Sequence, residues 1–234
     1  MIIPVLSLDE KKIVNSLRYH WKSEDSCKAI AKGLKDSCEL YVAGTEYLIR
    51  AMLLYQPTVV KSINSNHTKK IWVYAAEALY DSALLLSFNL FDTGKNIKFK
   101  NLVCLNRQIA VLTNDDLKSS WNLDPSIDIA ETINRIKNQR DKRIAHHERD
   151  GVESLMTYDP LVSLEYARKY IEKFYSMFLD TEFMLDSLPD LTIKVADPTF
   201  DAVGIQDRQR RAKALNELKE YLSKAEKKYF SEVT

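Results

Sequence analysis

Apolar side chains recur along most of this chain at steps of three and four residues, the spacing of one helix face. The pattern predicts a first helix from Asp9 to about Trp21, with Ser7 or Asp9 as N-cap. A second begins near Ser23, where Ser-Glu-Asp supplies a cap and an acidic first turn. It runs to Tyr55, with a break expected near Gly33 or Gly44, and Pro57 stops it. After a polar segment, Ser62 to Thr68, the clearest amphipathic stretch is Lys69 to Phe91. There Trp72, Ala75, Ala76, Leu79, Ala83, Leu86 and Leu90 form one stripe, which Leu84 and Leu85 widen.

Phe99 to Leu112 is expected to form the next helix, and Thr113-Asn114-Asp115-Asp116 reads as the cap of a short one. Asp124-Pro125 opens another, because proline fits a first helical turn. Its apolar residues Ile129, Ile133 and Ile136 lead at the same spacing to Arg140, Ile144 and His147, with Gly151 as its end. Asp159-Pro160 opens a long helix expected to reach Leu188. Pro189, Pro198 and Gly204 mark a connecting segment, and a last helix spans about Gln206 to Phe230. The fold class expected is all-α: an antiparallel helical bundle over residues 1–188, then a linker and a basic amphipathic C-terminal helix over 189–234. That last helix either packs through Ala214, Leu215, Leu218, Leu222 and Ala225 or stands out as an RNA-facing arm.

Composition supports the helical reading. Only 5 glycines and 6 prolines occur in 234 residues, too little turn chemistry for a β-sandwich. Apolar residues make up 45% and charged ones 29%, as in an ordinary folded domain. The net charge of +1 gives no global field toward nucleic acid, so any such contact must come from local patches. Cys27, Cys38 and Cys104 have no metal-ligand spacing and read as small apolar residues in helices. The N-terminus is charged too early for a signal peptide, and no run is expected to approach a membrane span. The expectation is a soluble cytoplasmic protein with no cofactor, no metal and no membrane partner.

The densest chemistry lies in NQRDKRIAHHERD, Asn138 to Asp150. On a regular wheel of about 100° per residue, Arg140, Arg143 and His147 share a face and His146 lies to one side. Histidine titrates nearest neutral pH, and guanidinium is shaped to grip phosphate. Together they could cleave RNA without a metal: imidazoles exchange protons with the attacking and leaving oxygens, and arginine stabilises the phosphate charge. One cluster offers few groups for these tasks, so two copies across a twofold axis would serve better. On composition alone, such a run also reads as a solvated helix end whose cations complement the macrodipole, with Asp141, Glu148 and Asp150 to pair them.

RDKRIAH, Arg140 to His146, resembles the Arg-polar-x4-His signature of HEPN domains (higher eukaryotes and prokaryotes nucleotide-binding). Ala76 to Lys95 resembles the long core helix of the abortive-infection subfamily of that family, and the likeness covers about three-quarters of the chain. The resemblance implies a metal-independent endoribonuclease acting as a homodimer, a toxin or phage-defence effector with an antitoxin protein as candidate partner. It assigns Arg140 to the scissile phosphate, His146 to acid or base catalysis with His147 beside it, and Asp141 to holding the arginine or a backbone donor. Arg143 and Lys142 are candidate RNA phosphate contacts. Glu148 stands where some of these toxins carry a tyrosine that a partner enzyme modifies, so that control is not expected here. The alternative is a catalytically inactive HEPN-like module that binds RNA or protein.

Further residues carry weaker expectations. Asp81 and Asp92 are candidates to orient Arg140 or a histidine, or are plain capping carboxylates. His20 in RYHW reads as packed, and His67 as solvated in a polar turn. Tyr41, Tyr47, Tyr55, Tyr166, Tyr170 and Tyr175 fit core or subunit contacts, or base stacking.

Overall fold

The computed structural model describes residues 10–63, 66–92, 101–112, 114–120, 127–141, 157–179 and 184–229. Among them are ten helices and no strand, so the protein is an all-α bundle. The helices are α1 Glu10–Leu17, α2 Glu24–Leu54, α3 Pro57–Ser62, α4 Asn66–Asn89 and α5 Leu102–Ala110. They continue with α6 Asp115–Ser120, α7 Ile127–Arg140, α8 Asp159–Phe178, α9 Leu188–Ala202 and α10 Arg208–Tyr229.

The 31-residue α2 is the axis of the fold, about 46 Å long, and α1, α4, α5, α8 and α9 all pack on it. Ser23 caps it by accepting from Ser26 N at 3.3 Å. The break expected at Gly33 or Gly44 does not occur. At Gly44 the missing side chain lets two neighbours close in: a Cβ there would stand 3.0 Å from Leu164 Cδ2 and 3.4 Å from Leu86 Cβ. Glycine's cost in a helix is thus set against the close approach of α4 and α8.

Two readings of the sequence are corrected. The helix from Asp159 ends at Phe178, not at Leu188. The segment read as a linker is α9, opened by a capping box between Ser187 and Asp190, with Pro189 in its first turn. Its Leu191 and Phe200 are fully buried in the same core as α2, and Pro198 is carried inside the helix. Of the two alternatives for the last helix, the packed one holds: α10 lies on α3 and α2. Ala214, Leu218 and Ala225 are completely buried, and Glu217 accepts from Thr58 Oγ1 at 2.6 Å and from Thr58 N at 3.0 Å.

On α4 the buried face is broader than the predicted stripe. Ala76, Tyr80, Ala83 and Leu90 join the main core, whereas Leu84 and Phe88 form a separate small core with Ile136 of α7. The helix is covered from two sides, by α2 and by α7 with α8, so one stripe does not describe it. Its Ile71–Asn89 stretch, 19 residues at mean hydropathy 1.2, does reach the length and composition of a membrane span, contrary to expectation. The predicted cap of α6 holds: Asn114 Oδ1 accepts from Asp116 N and Leu117 N at 3.0 and 3.1 Å. The expected opening at Asp124-Pro125 and the end at Gly151 lie outside the described residues.

Cys27 and Cys38 are buried on α2, and burial pushes the Cys38 thiol up to about 12, which keeps it protonated and inert. His20 packs as its neighbours imply, 5.5 Å from the Phe178 ring and 5.9 Å from Trp21, centroid to centroid. Partial burial lowers its pKa below the usual 6.5, against a weaker opposing hydrogen bond to the Phe178 backbone. Between that lowered value and 6.5 the unfolded chain therefore binds more protons, and stability falls as pH drops through this window. A His20→Phe variant is expected to lose this part of the acid sensitivity. Urea midpoints at about pH 8 and about pH 5.5 test it; an unchanged pH difference in the variant would refute it.

Candidate functional site

The candidate site is built at the end of α7. Ile136 turns inward onto Leu84 and Phe88 of α4, and Arg140, four residues on, comes to the same helix face. Its guanidinium lies over the Phe88 ring, Cζ 3.9 Å from the centroid, a cation–π contact against an otherwise buried aromatic. Asp141 takes the side edge: its Oδ1 accepts from Arg140 Nε at 2.9 Å and from Nη2 at 2.5 Å. One face and one edge of the guanidinium are therefore fixed. Among the described residues no protein group accepts from Nη1. The arginine side chain keeps 26% of its accessible surface, so the fixed group still meets solvent.

Beside it runs a polar network that the sequence reading missed. Gln139 Nε2 donates to Thr157 Oγ1 at 3.1 Å and to Asp159 Oδ2 at 3.3 Å. Tyr80 Oη accepts from Thr157 N at 3.2 Å and shares a hydrogen bond with Thr157 Oγ1 at 3.1 Å. Arg135 Nε donates to Asp159 Oδ1 at 2.9 Å, while Nη2 reaches Thr132 Oγ1 and Nη1 pairs with Glu131. Asp159 is only 5% exposed, so its carboxylate is satisfied by side chains from α7 and not by bulk water. The network ties α4, α7 and the start of α8 together one residue away from Arg140. A signal for it was present: Thr132, Arg135 and Gln139 are spaced as a polar stripe flanking the isoleucines of the same helix.

Of the predicted site residues, Arg140 and Asp141, neighbours in the chain, form an ion pair. Lys142, Arg143, His146 and His147 lie outside the described residues. The carboxylate on Arg140 is Asp141, not Asp81 or Asp92. His67, read as part of a turn, falls within the first turn of α4. Tyr41, Tyr170 and Tyr175 are buried in the core, which removes these three from base stacking, whereas Tyr55 and Tyr166 pack against it half-buried. No group of three His, Cys, Asp or Glu side chains that could hold a metal ion occurs among the described residues.

No family model matches the chain, and no curated protein and no solved structure matches it.

Proposed function

We propose that the protein is a metal-independent endoribonuclease of HEPN type, working in the cytoplasm as a homodimer with Arg140 gripping the scissile phosphate. The observation that carries the reading is the state of Arg140: stacked on Phe88, edged by Asp141, and still partly open to solvent. A guanidinium whose orientation is fixed before substrate arrives stabilises developing phosphate charge without reorganising. A merely solvated cation would need neither the ring nor the carboxylate.

In the proposed reaction the ribose 2′-hydroxyl attacks phosphorus and its proton passes to a neutral imidazole. The bond to the 5′-oxygen breaks as an imidazolium protonates that oxygen, leaving a 2′,3′-cyclic phosphate and a 5′-hydroxyl. His146 and His147 are the candidates for these imidazoles, with Lys142 and Arg143 contacting neighbouring phosphates. A dimer would supply both an acid and a base. A toxin or phage-defence role with an antitoxin partner belongs to the same proposal.

End-labelled RNA incubated with the purified dimer in EDTA is expected to be cut, with cyclic phosphate ends. No cleavage of several RNAs by folded dimer would sink the reading and favour an inactive binding module. Full activity of the Arg140→Ala, His146→Ala, His147→Ala protein would sink it equally.

A further inference from the structure

The outward face of α10 has a charge that the rest of the chain does not share. The helix carries eight Lys and Arg against three Glu, a local charge of +5 in a chain whose total is +1. The remainder of the protein is therefore slightly acidic, and α10 stands out against it.

The packing sharpens this contrast. Arg211 is turned inward, where it donates to Ile205 O at 2.7 Å, pairs with Asp197 at 3.0 Å and with Asp201, and lies over the Phe200 ring. Glu217 is likewise turned inward, onto Thr58. On a wheel of about 100° per residue from Arg208 at 0°, the buried Ala214, Ala225 and Leu218 fall at about 240–280°. Arg208, Lys213, Lys219, Lys224 and Lys227 fall on the opposite side, between about 0° and 160°, and all five are exposed. Glu220, at about 120°, and Glu226, at about 0°, are the acidic positions on the same side, so five cations stand against two carboxylates. Arg208, Lys213, Lys219 and Lys224 form no ion pair among the described residues. The row extends about 28 Å along the helix.

We infer that this face is a docking track for the phosphodiester backbone of single-stranded RNA. Charge complementarity favours a polyanion. A membrane surface fits poorly, because a helix lying on lipid needs an apolar face to insert. The apolar face of α10 is already spent on α2 and α3. The track is also anchored near the candidate site: the Tyr221 ring lies 4.7 Å from that of Tyr158, whose neighbours Thr157 and Asp159 hold Gln139 beside Arg140. Only the choice of RNA as the polyanion rests on the ribonuclease reading.

The test measures fluorescence anisotropy of a labelled single-stranded RNA of about twenty nucleotides, over salt from about 50 to about 200 mM. The protein carries Arg140→Ala, so that cleavage does not consume the probe. Adding Lys213→Gln, Lys219→Gln and Lys224→Gln is expected to weaken binding at least about tenfold and to flatten the log–log salt slope by about 2. These side chains are exposed, and circular dichroism confirms that the variant folds. A DNA strand of the same sequence should compete equally or less well, as expected of a track that reads phosphates. Unchanged affinity and slope would overturn the inference, as would tighter binding to phosphatidylserine vesicles or to DNA than to RNA. Such a failure leaves the Arg140 reading to be judged separately, by cleavage with the unaltered chain.

Discussion

Arg140→Ala is expected to slow RNA cleavage by about 10²–10³, mostly in kcat, while leaving the thermal midpoint nearly unchanged. The two halves of this result follow from one geometry. The guanidinium is edged by Asp141 and stacked on Phe88, so its remaining donors meet a phosphate oxygen in a fixed direction. Losing one such preorganised donor costs about 3–4 kcal/mol of transition-state stabilisation. On the stability side the contact with Phe88 is lost, about 0.5–1 kcal/mol at a partly exposed position, together with a solvent-facing ion pair to Asp141 that adds about 0–1 kcal/mol. Arg140→Lys should recover little, because an ammonium cannot keep the fork, the ring contact and the Asp141 edge at once. Single-turnover cleavage of labelled RNA at saturating enzyme gives the readout. Rates within about threefold of the unaltered protein would remove Arg140 from the chemistry.

The largest expected loss of stability comes from Phe174→Ala. Phe174 is completely buried, its ring nearly parallel to that of Trp21 at 17° and 6.3 Å, and 4.8 Å from Phe178. Trp21 is held in turn by its indole N–H, which donates to Gln108 O at 3.1 Å. The cluster joins the connection between α1 and α2, the C-terminal half of α8 and α5, so the cavity left by alanine is walled by three separate segments and cannot collapse locally. A loss of about 3–5 kcal/mol is expected from removed burial plus cavity. Phe174→Leu should lose about 1–2 kcal/mol, since most of the volume stays. Urea denaturation followed by circular dichroism measures both. A loss below about 1.5 kcal/mol for the alanine variant would show that the neighbours do close in.

Much of the bundle was legible in the sequence because amphipathic spacing reports one buried face directly. The buried Tyr80 and Phe88 of α4 were overlooked because that helix is covered from two sides, and a single periodic stripe describes only one cover. The α9 helix was read as a linker because proline signals both a turn and a first helical turn. The Ser187–Asp190 pair, three residues apart, is what separates the two cases. At the site, Arg140 and Asp141 could be read from adjacency and residue type. The Phe88 face beneath the guanidinium and the Gln139–Thr157–Asp159 network could not, since both depend on which helices meet. Asp159 in particular read as a helix opener, and only the packing of α7 against α8 gives its carboxylate to Arg135.

The central place of α2 has a consequence for how the chain is made. Its apolar surface is complete once residue 54 has left the ribosome, yet part of its covering, α8 and α9, comes from residues 159–202. Roughly 150 residues must be added in between, about 7–30 s of translation during which that surface waits for its final neighbours. A growing chain stalled before α9 would present buried residues such as Leu34, Tyr41 and Leu48 on a helix that still lacks part of its cover. During synthesis that face of α2 is therefore closed in stages, and its cover is finished only when α8 and α9 arrive.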